Sequence, residues 1–359
     1  MQPKELWSAD TKFIEYGLRD GAVGQELRAS GFGNYLGVIR RQQTRDAIAA
    51  SCPEIADDLT ATIGRSSVRR NNADVLILSG SAAWNLIRFG NLRHVDYVAW
   101  RISLSIAMPL ALMGWLVNRL LGRFSAAQVV TVGESSRSAC RLLVFRIARN
   151  KRQQQARRYI PHRGGVRGFL DWMMREKVSH AVLRWFETLP KLEPGEDLDL
   201  LVADNELERV GEFLSSGPGI VPCDLYSVTG LPGADFRGMP YFPPYLAESL
   251  LAEAVVHRDL CRVPSPKHHF LSMAFHALYH KGIPSGLPHS HGAGKRAARP
   301  EHDYNLVLCQ LADDIDADVE ISMEHADQYL RDAGWRPPLE YHARLVERNK
   351  WLQATVANE

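Results

Sequence analysis

An α/β fold, turning to α+β character in its C-terminal half, is what this 359-residue sequence predicts. Three observations predict it. The run Asp74-Val-Leu-Ile-Leu-Ser-Gly-Ser81 reads as a buried strand entering a small-residue turn. Gln128-Val-Val-Thr-Val-Gly-Glu-Ser-Ser-Arg137 repeats that pattern, and beyond residue 168 strand-like and helix-like stretches alternate. Strands that lead through turns into helices are the units of a parallel sheet.

Taken in order, the first 70 residues are mixed and mostly helical in pattern, and carry no functional signal. Residues 1–145 are expected to form one α/β domain, 146–167 a basic linker, and 168–359 a mixed-sheet domain with a helical C-terminal part. The uncharged run from Ile102 to Asn118, bracketed by Arg101 and Arg119, falls short of the about 20 apolar residues a spanning helix needs. It reads as a buried core helix, with a monotopic or re-entrant membrane contact as the alternative. Helices are expected over Val166–Lys177, Asp204–Leu214, Leu246–His257 and Lys267–Lys281. A helical tail follows from Met323 to Leu352, broken at Arg336-Pro337-Pro338.

Hydrophobic residues make up 45% and charged residues 23%, ordinary for a folded protein, so disorder is not the default reading. The formal net charge of +2 indicates no partner. Local charge is more telling. Arg146, Arg149, Lys151, Arg152, Arg157, Arg158, Arg163 and Arg167 occur with no acid between Glu134 and Asp171. Such a run is ordinarily a solvated face, and its best functional partner is an anionic membrane surface. Few aromatics interleave with it, which argues against a nucleic-acid groove. Cys52, Cys140, Cys223, Cys261 and Cys309 are odd in number and lack C-x-x-C spacing, so a reducing cytoplasm is expected rather than a disulfide framework. Met1–Asp20 shows no apolar core of a secretory signal. The expected location is cytoplasmic, with attachment to the inner face of the membrane as an extension.

The chemistry-bearing pattern is Gly195-Glu-Asp-Leu-Asp-Leu-Leu-Val202. Gly195 permits a tight entry turn. Side chains two apart on a strand share a face, so Asp197 and Asp199 are expected to point together while the leucines enter the core. Two carboxylates on one face suit magnesium or manganese, which borrow phosphate oxygens as further ligands. A helix over 204–214, with the capping spacing of Asn205 and Glu208, then leads to the strand-like Ile220–Val228, which offers Asp224.

In this order of elements the chain resembles the nucleotidyltransferase superfamily with a polymerase-β-like core, from Val182 to Lys281. Val182-Leu-Arg-Trp-Phe-Glu-Thr-Leu-Pro190 ahead of the paired acids is similar to an uncharacterised branch associated with bacterial surface-polysaccharide genes. The resemblance implies magnesium-dependent nucleotidyl or phosphoryl transfer in cell-envelope polysaccharide biosynthesis. Asp197, Asp199 and Asp224 would be the catalytic acids and metal ligands. It further implies a nucleotide or nucleotide-sugar donor and a glycan or lipid-linked acceptor. The superfamily's Gly-Ser pair ahead of the acids is replaced by Leu183-Arg184-Trp185, and Arg184 is the expected phosphate contact. Alternatives are a non-catalytic binding or tethering module of the same fold and a glycosyltransferase whose D-x-D holds a nucleotide-sugar metal.

Eight of the thirteen histidines lie between His257 and His302. His269, Met273, His276 and His280 share one helical face, and Gly282 marks the helix end. His276, His280 and Lys281 are candidate substrate contacts beside Gly195 and Arg184. A zinc pair at His276 and His280 is the rarer reading, and packing the common one. The Gly-, Pro- and His-rich stretch Ile283–Pro300 reads as a loop in which Lys295, Arg296 and Arg299 could close over an anion. Gly80-Ser81 and Gly133-Glu134-Ser135-Ser136 are turns of a kind that cradle phosphate, although no G-x-G-x-x-G or P-loop is present.

Overall fold

A computed structural model describes residues 2–61, 71–87, 92, 94–101, 108–133, 140–148, 157–193, 195–236, 239–290, 302–347 and 349–356. Ile102–Ala107, Glu134–Ser136, Arg149, Lys151, Arg152, Pro194, Lys295, Arg296 and Arg299 lie outside the described residues. The chain divides into two compact units. The first comprises Met1–Phe169, Lys191–Leu198 and Arg209–Asp224, the second Leu170–Pro190, Asp199–Glu208 and Leu225–Glu359.

The first unit is an α/β layer structure around a seven-stranded sheet. Its strands are β1 (Phe13–Tyr16), β2 (Tyr35–Ile39), β3 (Leu59–Ala61), β4 (Val75–Leu78), β5 (Tyr97–Arg101), β6 (Gln128–Val132) and β7 (Cys140–Arg146), in the order 3-2-1-4-5-7-6. Strands β1 to β5 are parallel, and β7 runs antiparallel to both β5 and β6. The alternation of side chains decides the two faces. Phe13, Val75 and Ile77 pack with Val23 and Leu27 of α1 (Ala22–Ala29) and Ile48 of α2 (Gln42–Ser51). Ile14, Leu76 and Leu78 pack on the other side with Ala82, Leu86 and Ala111 of α3 (Met108–Leu120). Because both faces are covered, Val75-Leu-Ile-Leu78 is a continuous apolar run, as parallel strands are.

Two expectations need correction in this unit. The first 70 residues, expected to be mixed and mostly helical, hold α1 and α2 but also three of the parallel strands. Strands of three to five residues, of which β1 and β2 are buried on both faces, have no period that separates them from helix in the sequence. Nor is α3 a buried core helix. Ala111, Gly114 and Asn118 are buried, while Leu112, Met113 and Leu120 are exposed.

β8 (Arg158–Ile160) pairs antiparallel with the first half of β11 (Val221–Ser227) in the first unit. In the second unit β9 (His180–Val182) pairs antiparallel with β10 (Leu198–Val202) through Leu200–Val202. The helices α4 (Gly165–Arg175), α5 (Leu207–Ser215), α6 (Pro244–Ala252), α7 (Pro266–Phe275), α8 (Tyr304–Asp313), α9 (Met323–Asp332), α10 (Leu339–Val346) and α11 (Lys350–Val356) complete the chain. The second unit's core gathers Phe270, Phe275, Tyr279, Leu308, Met323, Leu330 and Trp351. The expected helix Leu246–His257 stops early, at Ala252, and β12 (Val255–His257) forms a hairpin with β13 (Cys261–Val263). β-Branched Val255 and Val256 favour the strand, and Arg258 and Asp259 both take positive φ at the turn.

Candidate functional site

The three acids are placed by different elements and meet different cations. Asp197 lies one residue ahead of β10, and Asp224 lies on β11. Arg157 bridges them, with Nε donating to Asp224 Oδ1 at 3.0 Å and the guanidinium also donating to Asp197 Oδ2. Burial disfavours the Arg157 charge, yet Asp224 and then Asp197 outweigh it and hold its pKa above the ordinary arginine value. All three side chains remain partly solvated.

Asp199 sits inside β10, every residue of which is buried. The expected split between acids on one face and leucines on the other therefore fails: a strand covered on both faces offers no solvated side. Its carboxylate accepts from Arg184 at 2.6 Å and from the Tyr226 hydroxyl at 2.9 Å. Leu183, Arg184 and Trp185 follow β9, and Trp185 takes φ 57°, a conformation that strains a bulky residue. Its ring stacks on His302 with centroids 4.0 Å apart.

Around Arg184 the second unit assembles a buried polar network. The guanidinium lies 5.4 Å from the Tyr241 ring centroid. Burial disfavours its charge, but Asp199 holds its pKa well above the usual value. The Tyr241 hydroxyl bonds His276 Nδ1, and His276 Nε2 lies 3.1 Å from the Tyr304 hydroxyl. His280 Nε2 donates to the Tyr241 carbonyl at 3.0 Å, while its Nδ1 is buried with no hydrogen-bond partner among the described residues. His276 to Lys281 form a π-helical turn directly after α7, ended by Gly282 at φ 64°. A Cβ on Gly282 would lie 2.4 Å from Asn349 Oδ1, so only glycine fits. Burial first, then the Arg184 charge, drives the His276 pKa well below its ordinary value and that of His280 to about 3. The structure thus brings Arg184, Asp199, His276 and His280 into one network, and Lys281 stands half-buried at its end. Gly195 is exposed, at φ 111°, in the turn before Asp197.

The first unit holds a second arrangement, which the sequence reading did not find. The chain winds from β1 to β2 and β3 on one side, then returns to β4 on the other side of β1. In open α/β sheets such a reversal opens a crevice at the carboxyl ends of the strands, where ligands bind. Glu15 of β1 is fully buried there, accepting from Ser79 Oγ at 2.5 Å and from the Tyr35 hydroxyl at 2.7 Å. Burial raises its pKa. It ties together β1, β2 and the turn after β4. The signal was an acid inside the apolar run Phe13-Ile-Glu-Tyr16. Beyond it, Asp20 is held by Arg101 at 2.6 Å, and Arg19 is exposed with no ion pair among the described residues. An open recess lined by Thr11, Lys12, Asn34, Asp74 and Asp96 lies at the opposite, amino ends of the strands.

Gly17, at φ 81°, turns the chain after β1. A Cβ there would lie 2.3 Å from the Ser79 carbonyl oxygen and 2.8 Å from Ala82 Cβ. Gly17→Ala is expected to destabilise the first unit by about 2–4 kcal/mol, from strain plus overlap. Gly31, at φ 90° with open space around it, isolates the strain: Gly31→Ala should cost about 1–2 kcal/mol. Urea unfolding checks the difference, and equal losses would show that the approach of the two turns is unimportant.

No protein-family model matches the chain, and no curated protein does. Partial structural similarity is found to an O-methyltransferase from Bacillus cereus in complex with S-adenosylhomocysteine, at 10% identity and a TM-score of 0.28, covering 39% of this chain and 75% of that one. A SAM-dependent O-methyltransferase from Thermotoga maritima matches at 13% identity and a TM-score of 0.29, over 40% and 62%. The Methanococcus jannaschii fibrillarin pre-rRNA processing protein matches at 12% identity and a TM-score of 0.28, over 40% and 69%. At these values the likenesses assign no function.

The expected nucleotidyltransferase membership is corrected. The similar structures bear methyltransferase names, and the paired-acid pattern is taken up by Arg157 and Arg184. Magnesium or manganese falls with it: among the described residues no group of three His, Cys, Asp or Glu is placed to hold a metal ion. Nucleotidyl transfer, D-x-D glycosyl transfer and a role in polysaccharide biosynthesis rested on those acids and that family, and are withdrawn. All five cysteines are free thiols. Among the described residues no helix is long and apolar enough to cross a membrane.

Proposed function

We propose that the first unit binds an adenosyl ligand of the S-adenosylmethionine kind at the carboxyl ends of β1 and β4, and that the chain is a methyl transferase. The observation that carries this reading is the strand order. A doubly wound sheet reversing between β1 and β4, with an antiparallel strand inserted between β5 and β6, is the architecture used by adenosylmethionine-dependent methyltransferases. Fold alone does not fix chemistry, so the residues at the crevice must themselves meet the ligand's needs.

They fit at the first turn. Gly17 and Gly80, at φ 81° and 51°, end β1 and β4 without side chains and leave backbone for close approach. Arg19 would pair with the ligand's carboxylate. Glu15, through Ser79 and Tyr35, holds the strand ends in place. At the end of β2, where nucleotide sites of this class commonly place a ribose-binding acid, Arg40 and Arg41 stand instead. Those side chains can donate to the ribose hydroxyls but cannot accept from them as an acid would. When bound, the ligand supplies an activated methyl group; the chain's own residues bind and orient it.

Equilibrium dialysis with labelled S-adenosylmethionine tests the reading, followed by photo-crosslinking and peptide mapping. Saturable binding with a Kd on the order of 10 μM, about 7 kcal/mol, is expected. The crosslink should fall on the peptides that carry Gly17 or Gly80. No saturation up to about 1 mM, or a crosslink confined to the second unit, would sink it.

A further inference from the structure

We infer that α3 is a docking surface for an anionic lipid bilayer. Leu110, Leu112, Met113, Leu116, Val117 and Leu120 are 47–79% exposed on this helix. At 100° per residue they occupy one half of its circumference, whereas Ala111, Gly114 and Asn118 fill the other. Gly114 lets the buried half approach the Leu86–Ile87 backbone, for a Cβ there would lie 2.6 Å from Ile87 N. Asn118 Nδ2 fastens the same half, donating to the Leu86 carbonyl at 2.8 Å. The helix is thus rigidly seated with its larger apolar side outward. A helix apolar all round is ordinarily covered on every side, and an exposed patch of this kind marks an interaction surface.

Charge selects the occupant. From Tyr97 to Gly133 the chain has no Asp or Glu, while Arg119 and Arg123 stand exposed at the end of α3. From residue 97 to 169 there are thirteen Arg or Lys and one acid, Glu134. Interfacial helices combine an apolar face with flanking cations that meet anionic headgroups. A second copy fits worse. An isologous pairing through α3 would set this acid-free surface against a copy of itself, which offers Arg119 and Arg123 no carboxylate. The helix of 13 residues is about 20 Å long, so it lies on a bilayer rather than across it.

Flotation with vesicles tests this, using phosphatidylcholine alone and phosphatidylcholine mixed with phosphatidylserine. The full chain should float with the anionic vesicles at least ~5-fold more than with neutral ones, the effect of one or more basic residues near such a surface. Raising salt to about 0.5 M should reduce that excess. The triple variant Leu112→Ser, Leu116→Ser, Leu120→Ser changes only exposed positions and should lose binding, and Arg119→Glu should weaken it. Leu306→Ser, an exposed leucine on α8, should not. No binding to anionic vesicles at low salt overturns the inference. So does binding that the triple variant leaves intact, or a dimer in solution that the triple variant dissociates while lipid binding is absent. The test is independent of the adenosyl reading, since it needs neither ligand nor turnover.

Discussion

Asp199→Asn is expected to destabilise the second unit by about 3 kcal/mol, the cost of leaving a buried guanidinium without its counter-charge. Arg184 and Asp199 expose only 8% and 5% of their side chains, so water cannot replace the lost partner. Tyr226 donates to the same carboxylate, and Tyr241 stacks beneath the guanidinium, so the loss extends into the network. Asp197→Asn is the contrast. Its pairing with Arg157 is a third exposed, and pairs of this kind are worth about 1 kcal/mol or less. Denaturant unfolding of the two variants should therefore differ clearly, although the residues are two apart in a D-x-D. Equal losses would contradict the distinction drawn between them. The double variant Arg184→Met, Asp199→Leu removes both charges together and should recover much of the loss, as apolar replacements of buried ion pairs do.

Acid should unfold the second unit well before its carboxylates would require it. His276, His280 and His269 are neutral in the fold: burial drives His276 well below its ordinary value, His280 to about 3 and His269 to about 4. In the unfolded chain these rings titrate near 6.5. Above that pH neither state binds their protons and stability is full. Below it the unfolded state takes up protons that the folded state refuses, so stability falls as pH drops from about 6.5 towards 4, by up to about 4 kcal/mol per pH unit for three rings. Thermal melts between pH 7.5 and 4.5 measure this. His280→Gln should flatten the profile, because a neutral side chain at that position has no proton to gain. A profile as steep as the parent's in that variant would remove His280 from the account.

Some of the site was legible in the sequence. The strand carrying Asp199, the strand carrying Asp224, and the helical stretch ending at Gly282 all stand where the patterns put them. Arg184, His276 and His280 are candidates by residue type and spacing, and they share one network. Its purpose is not legible there, because the signal is one of residue type. An acid on a strand looks the same whether it faces a metal or a guanidinium, and the guanidinium that meets Asp197 and Asp224 comes from a basic run 40 residues upstream of Asp197. The tyrosines that complete the network, Tyr226, Tyr241 and Tyr304, carry no positional signal, since an aromatic residue among apolar neighbours reads as core. Glu15 is hidden for the same reason inverted: a lone acid in a four-residue strand resembles a surface position, although Ser79 and Tyr35 bond it in the interior.

By itself the sequence determined that the chain folds, that it is α/β, and that residues 97–169 are strongly basic. These are sums over local composition and alternation, which neighbours in the chain decide. Only the tertiary structure decided the rest. It placed three short strands in the stretch that read as helical, and reversed the winding between β1 and β4 to open a crevice. It gave each acid of the D-x-D its own arginine and left the larger side of α3 uncovered. Each of these depends on which residues distant in the chain come together, and desolvation sets their energies: a carboxylate in a dry strand needs a cation, a buried imidazole stays neutral, and an apolar half-helix that no described residue covers remains exposed.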